Sequence, residues 1–433
     1  MKSVLKNLVV LVLTWEAKLV LKKYKPKIVA VTGSVGKTSA KDAIYTVLSG
    51  SLFARKSDKS FNSEIGVPLT ILGCRNGWNN PFIWLRNIIE GIMLIILPNH
   101  YPKWLVLEVG ADRPGDIENL SKWIAPDIAV VTKLADVPVH VEFFEDAEAL
   151  YREKAFLVRA VKNDGVVILN SDDEDVLSMR EQTTARTLLF GTKSPAEVIA
   201  TSYRVLYEET DMNKTPNGIV FDVSHGKEFA RINIFGGLGL QHLYSALAGV
   251  AVGRALNIKI EKISKSFFKH ETPRGRMKIL RGVKDSILID DSYNSSPLAL
   301  MEALNTLELI ETTGRKIAVL GDMLELGRFS PDEHKKAGEK VAKVAQILFT
   351  IGVRARGIAE GALNAGMSEK DIFQFEDSGK AGKELEQKLK SYDVVLVKGS
   401  QGIRTERVME EIMAEPERKD ELLVRQEREW IRR

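Results

Sequence analysis

A chain of 433 residues with 44% hydrophobic content is long enough for two or three domains, each with its own core. Its 62 basic and 58 acidic residues leave a net charge of only +4, without the concentrated positive surface of a nucleic-acid binder. Its one cysteine, Cys74, excludes a disulfide framework and a cysteine-based zinc site, and suits the reducing cytoplasm.

Val4 to Leu21 is rich in Val and Leu but carries Lys6, Asn7, Glu16 and Lys18, with no small-residue cleavage site, which argues against a secretory signal. Its uninterrupted apolar core, Leu8 to Leu13, is too short to span a bilayer. A second apolar segment, Ile88 to Leu97, is interrupted by Glu90 and stopped by Pro98. Each segment reads as a helix packed on its domain, as an oligomer contact, or as an amphipathic helix on the inner membrane face, helped by Lys22, Lys23, Lys25 and Lys27.

The chain is organised around the stretch Lys27 to Ser39, KIVAVTGSVGKTS. Ile28 to Val31 is a short β-branched run that predicts a buried strand, and Gly36-Lys37-Thr38 opens a predicted helix through Leu48. Strand, glycine turn, Lys-Thr and helix together make a phosphate cradle. Glycines let backbone N–H groups approach an anion, and the helix points its positive end at it. Lys37 adds a point charge and the Thr38 hydroxyl is a magnesium ligand type. The common P-loop pattern wants glycine where Val31 stands, so a chance Gly-Lys-Thr turn stays open on these residues alone.

Phe61 to Leu69 reads as a polar turn and a helix start. Trp104 to Val109 predicts a second strand, and Glu108 at its end is a candidate magnesium ligand or a simple capping carboxylate. Ile128 to Val131 predicts a third, leading to His140, which is structural or metal-binding. Ala147 to Val161 predicts a helix carrying Lys154, and Val166 to Leu169 another strand. From Val198 to Ile234 short antiparallel strands are expected, with turns at Asn217-Gly218 and His225-Gly226, then a helix over Gly236 to Ala255. Strand runs restart at Ser286–Ile289, Ile317–Leu320, Ile347–Ile351 and Val394–Val397, with polar groups after three of them. Alternating strands and helices predict an α/β protein: a domain with a parallel sheet carrying the P-loop-like cradle over 25–272, and a Rossmann-like domain over 273–415. An N-terminal helix (1–24) precedes them, and a charged tail (416–433) is expected to be a solvated helix or frayed.

The order VTGSVGKTS, FNSEIGVPLTIL, LEVGAD, YREK, GRM, DDSYNSSP, GDMLELG and VKGS resembles the Mur ligase family, over residues 28 to 410. DDSYN and GDMLELG are similar to its D-alanyl-D-alanine-adding branch, and the family's short cradle, T-G-x-x-G-K-T/S, accommodates Val31. The resemblance implies that 25–272 is a central ATP-binding P-loop ATPase domain, in an ATP-dependent amide ligase that phosphorylates a carboxylate and lets an amine attack the acyl phosphate. By similarity Gly33, Ser34, Val35, Gly36, Lys37, Thr38 and Ser39 hold ATP, as do His242, Asp291, Tyr293 and Asn294. Thr38 and Glu108 hold one Mg²⁺; His140 and a carbamate on Lys154 support a second. Lys37, Lys154, His140, Arg276 and Lys398 are the implied catalytic set, and Asn62, Ser63, Lys398, Ser400 and Arg404 the implied substrate contacts. Partners would be a peptidoglycan-precursor peptide and an amino acid or dipeptide, in the cytoplasm, with peripheral contact at the inner membrane face in view of the apolar segments.

Three departures stand out. The family carries a UDP-gripping domain before the cradle, whereas about 30 residues precede Gly33 here, so a partner supplying that domain is one expectation. The adenine-side G-x-H-N-x-x-N-A becomes Gly239-Leu240-Gln241-His242-Leu243-Tyr244-Ser245-Ala246. K-G-S-R becomes Lys398-Gly399-Ser400-Gln401, with Arg404 expected in the arginine's place. A related ligase on a lipid-linked or other non-UDP acyl substrate, and a non-catalytic scaffold of a cell-wall complex, are the alternatives.

Overall fold

The computed structural model describes residues 3–134, 144, 146–210 and 213–431. α1 (Ser3–Tyr24) leads into β1 (Lys27–Thr32), which is followed by α2 (Lys37–Ser49), β2 (Ala54–Lys56), α3 (Gly66–Leu72) and α4 (Pro81–Ile96). Next come β3 (Trp104–Glu108), α5 (Asp116–Ser121), β4 (Ile128–Val131), α6 (Ala147–Arg159), β5 (Val166–Asn170), α7 (Glu174–Ser178) and β6 (Arg186–Gly191). Three antiparallel strands, β7 (Val198–Thr210), β8 (Asn213–His225) and β9 (Glu228–Phe235), complete a sheet of order β2-β3-β1-β4-β5-β6-β7-β8-β9. It is parallel from β2 to β7.

Alternation along the central strands explains why the sheet is covered on both sides. Val29, Val31, Val106, Val130 and Ile168 face one core with Ala43, Ile44 and Val47 of α2. Ile28, Ala30, Leu105, Leu107, Ala129 and Val131 face the other, with Leu13 and Val20 of α1. Each fully buried aliphatic side chain contributes about 1.5–3 kcal/mol of transfer free energy. α8 (Leu240–Ala255) packs against α2 through small residues: a Cβ at Gly249 would lie 3.1 Å from the Ala43 carbonyl oxygen.

After α9 (Ile260–Ser266) a second sheet begins. β10 (Lys278–Arg281), β11 (Ile287–Asp291), α10 (Pro297–Leu309), β12 (Lys316–Gly321), α11 (Ser330–Val344), β13 (Ile347–Ile351), α12 (Arg356–Asn364), β14 (Ile372–Phe375), α13 (Ser378–Lys388), β15 (Val394–Lys398) and α14 (Glu406–Ile412) follow. Its order is β10-β11-β15-β12-β13-β14, parallel except for β10. The register sets Asp291 beside Lys398 at the carboxyl ends of β11 and β15.

Three sequence expectations need correction. The stretch from Val198 is not a set of short strands: β7 and β8 are 13 residues each. Asn217-Gly218 is no turn but lies inside β8, where Gly218 pairs with Phe235 and a Cβ would sit 2.1 Å from the Ile234 carbonyl oxygen, so glycine serves close strand approach there. The tail is not solvated throughout its described residues, 416–431. Leu423 is fully buried, and Arg425 reaches the carbonyl oxygens of Ser292 and Tyr293 and the Glu406 carboxylate. The buried Glu406 charge supplies what the tail's composition could not reveal. Four strands also escaped the sequence pattern: β2, β10 and β14, of three or four residues, and β6, of six. Among the described residues no helix is long and apolar enough to cross a membrane.

Candidate functional site

The first sheet builds its site at the carboxyl end of β1. Gly33 has φ 143°, and a Cβ there would fall 2.0 Å from Thr132 Oγ1, so only glycine fits. Gly36, with φ 85°, then starts α2. Thr132 Oγ1 donates to the Val35 carbonyl oxygen at 2.6 Å, and Ser34 N–H donates to the Lys133 carbonyl oxygen at 2.7 Å, tying the turn to β4.

Two lysines meet at this turn. Lys37 Nζ donates to the Gly33 carbonyl oxygen at 2.8 Å, and Lys154 Nζ, from α6, donates to the same oxygen at 3.1 Å. Lys154 is 2% exposed. Burial lowers the pKa of Lys37, and burial together with the Lys37 charge lowers that of Lys154 well below the usual lysine range. Like charges this close, with no carboxylate bonded to either among the described residues, ask for an anion, or for one lysine to be neutral.

Glu108 lies one strand over, its register beside Val31. Its Oε1 accepts from Thr38 Oγ1 at 3.2 Å, Ser60 Oγ at 2.5 Å and Asn62 Nδ2 at 3.2 Å. Its Oε2 is buried without a partner among the described residues, as is the Ser34 hydroxyl oxygen. Hard oxygen donors with an unsatisfied carboxylate oxygen fit Mg²⁺, which takes one or two protein ligands and completes its shell from phosphates and water. No group of three or more His, Cys, Asp or Glu able to hold a metal occurs among the described residues. His140 lies outside the described residues.

The second sheet brings its own groups. Arg276 stacks its guanidinium 4.0 Å over the Tyr293 ring and aims Nη2 at Thr38 Oγ1, 3.5 Å away, while its Nε is buried without a partner among the described residues. His242 Nε2 lies 2.8 Å from the Arg276 carbonyl oxygen, and burial keeps the ring below the ordinary histidine pKa. Lys398 Nζ bonds Asp291 Oδ2 at 2.6 Å and the Asn294 carbonyl oxygen at 2.9 Å, and the Ser400 hydroxyl accepts from Leu324 N–H at 2.9 Å. Asp291 also accepts from Met277 N–H, so its carboxylate is already engaged.

The cradle, Asn62, Glu108, Lys154, His242, Arg276 and Tyr293 are thus linked through a chain of contacts. Ser63 instead accepts from Gly66 N–H at 3.4 Å at the start of α3. Arg404 does not stand in for a free substrate arginine: it is 9% exposed, pairs with Glu406 and donates to the Trp430 carbonyl oxygen at 2.7 Å. Sequence reasoning missed Ser60, whose signal was its place in the polar turn holding Asn62. It also missed the Lys133–Glu302 pair at 2.8 Å, which joins the two α/β units beside a small cavity lined by Gly36, Asn170, Gln241 and Tyr244. No local pattern could have announced that pair.

Fold and site together define a nucleotide-binding α/β protein whose cradle is faced by a second α/β unit. The Mur ligase middle domain matches residues 91–253 and the Mur ligase glutamate ligase domain residues 275–401, together about two thirds of the chain. The UDP-N-acetylmuramoyl-tripeptide–D-alanyl-D-alanine ligase of Bacillus subtilis is 27% identical over 403 residues, covering 92% of this chain and 79% of that protein. The ligase of the same name from Mycobacterium leprae is 28% identical, covering 87% and 71%. Among solved structures, the MurF ligase of Thermotoga maritima in complex with ADP superposes with a TM-score of 0.74 at 26% identity, covering 97% of this chain and 86% of that one. The chain belongs to the Mur ligase family, whose members are ATP-dependent ligases that form carbon–nitrogen bonds.

Proposed function

We propose that this ligase joins D-alanyl-D-alanine, or a similar amine, to the peptide of a peptidoglycan precursor in the cytoplasm. The observation that carries the site assignment is the convergence of Lys37 and Lys154 on one carbonyl beside the unsatisfied Glu108 oxygen. The N–H groups of the cradle and Lys37 take the ATP phosphates. Thr38 and Glu108 would hold Mg²⁺, which when bound neutralises charge on the phosphate oxygens. The substrate carboxylate attacks the γ-phosphorus, the bond to the bridging oxygen breaks, and ADP leaves. The amine nitrogen then attacks the acyl carbon, gives up a proton, and the tetrahedral adduct collapses with loss of phosphate. The unpartnered Nε of Arg276 supports a role in stabilising charge on the moving phosphoryl group.

Lys154 supports a carbamate. Its low pKa favours the neutral amine, whose nitrogen adds to CO₂ with loss of a proton to leave an anionic oxygen beside the Lys37 cation, and that oxygen, with His140, would hold a second Mg²⁺. The small cavity lined by Tyr244, Gln241 and Asn170 supports a reading in which these residues face the base side of the nucleotide. The test is phosphate release and product formation with ATP, UDP-muramoyl-tripeptide and D-alanyl-D-alanine. Release should require both carboxylate and amine. Product with a lipid-linked acyl substrate but none with the UDP substrate would overturn this assignment of the acyl carrier.

A further inference from the structure

α1 and α4 lie side by side at the edge of the first unit and leave an apolar face in water. On α4 the exposed side chains Phe82, Leu85, Ile89, Ile92 and Ile96 recur every three or four residues, and Phe82 and Ile96 are 79% and 71% exposed. On α1, Leu8, Leu11 and Trp15 form a matching stripe, with Leu11 68% exposed. The two helices are fixed to one another. A Cβ on Gly91 would meet Glu16 Oε2 at 2.2 Å, and Lys23 Nζ donates to the carbonyl oxygens of Leu94, Ile95 and Leu97. The two stripes are therefore carried on a fixed pair of helices rather than being scattered exposed residues, and exposed apolar surface organised in this way marks an interaction site.

Charge decides among occupants. The α1 stripe continues into exposed Lys18 and Lys22. The acids of these helices are neutralised or hidden: Glu90 pairs with Arg86 at 2.7 Å, and Glu16 is fully buried. A second copy of this face would bring lysine rows together without an acid to meet them. An anionic bilayer surface supplies negative headgroups for the lysines and acyl chains for the aliphatic and aromatic side chains.

We propose that α1 and α4 form a docking surface that seats this ligase on anionic lipid, resting in the interface rather than crossing it. The test is flotation of the full chain with phosphatidylcholine vesicles, with and without phosphatidylglycerol, beside its mass in solution by light scattering. The parent should float with anionic vesicles and much less with neutral ones. Leu11→Glu and Leu85→Glu should each weaken binding about tenfold or more, since each removes an inserted side chain. Lys18→Glu with Lys22→Glu should erase the preference for phosphatidylglycerol, and all variants should keep their ADP binding and melting temperature. Failure of the parent to float, or binding unchanged in both leucine variants, overturns the proposal. A dimer that Leu85→Glu dissociates, without vesicle binding, assigns the face to a second copy and overturns it as well.

Discussion

Lys154 and Lys37 share the Gly33 carbonyl oxygen, and that shared acceptor makes their substitutions distinguishable. Lys37→Ala removes the charge proposed to face the outer phosphates, so kcat should fall about 10³-fold or more while the melting temperature stays near that of the parent. Retained turnover would remove Lys37 from the cradle. Lys154→Ala should be comparably slow but partly restored by acetate or formate, because a small carboxylate can take the place of a carbamate. Full activity without rescue would exclude the lysine from the site. Carbamylation needs the neutral amine, so activity at limiting bicarbonate should rise with pH through the lowered pKa of Lys154 and flatten when bicarbonate is abundant. Glu16 offers a second titration. Fully buried with neither oxygen partnered among the described residues, its carboxyl is pushed up by burial to about 7 from 4.5. The folded chain then holds a proton there that the unfolded chain has lost, so this group's contribution declines as pH rises from about 4.5 and is gone above about 7. Glu16→Gln should match the parent near pH 4.5 and exceed it by about 2–3 kcal/mol at pH 8.5 in urea unfolding. Equal stability at both pH values would show the carboxylate to be solvated.

Elements with continuous apolar runs were legible from sequence because burial on both faces leaves one reading: β1, β3, β4, β5 and the four central strands of the second sheet. β2, with the sequence Ala-Arg-Lys, and β10, Lys-Ile-Leu-Arg, are edge strands with polar faces, and period-2 signals over three or four residues carry no weight. The positions of the cradle and Glu108 were legible because each sits where a strand ends. The approach of Arg276 to Thr38 was not, since a contact 238 residues apart has no local signature. The C-terminal segment illustrates the same limit. Its charges read as a solvated tail, yet Arg425 reaches the buried Glu406, Glu427 pairs with Lys59 of the loop that carries Ser60, and Trp430 packs edge-on against Trp78. It acts as a strap from the second unit to the first. Arg425→Ala leaves Glu406 with Arg404 as its sole ion-pair partner among the described residues and should cost about 3 kcal/mol in chemical unfolding. A change within about 0.5 kcal/mol would show that solvent reaches Glu406.

In the whole molecule, one apolar cluster runs from Val29 and Leu247 of the first unit to Met277 and Leu300 of the second, and polar contacts add to it: Arg276 to Thr38, Lys133 to Glu302, and Tyr207, whose hydroxyl oxygen accepts from Glu311 N–H at 2.8 Å. Nucleotide arriving at the cradle would meet the first of these polar contacts. Arg276 is the bridge whose chemistry bears on that step. Its guanidinium is held flat by Tyr293, its contact with Thr38 is long, and its Nε is unsatisfied, so the group has capacity for a developing negative charge. Arg276→Ala should therefore lower kcat about 100-fold while ADP affinity changes only a few-fold, because Lys37 and the cradle N–H groups are untouched. Arg276→Lys should not restore the rate, since an ammonium cannot both lie on the Tyr293 ring and present a planar pair of donors. Steady-state kinetics with calorimetric ADP binding separates the two effects. If both variants lose ADP affinity in step with kcat, the arginine binds nucleotide uniformly and does not act on the phosphoryl group in flight.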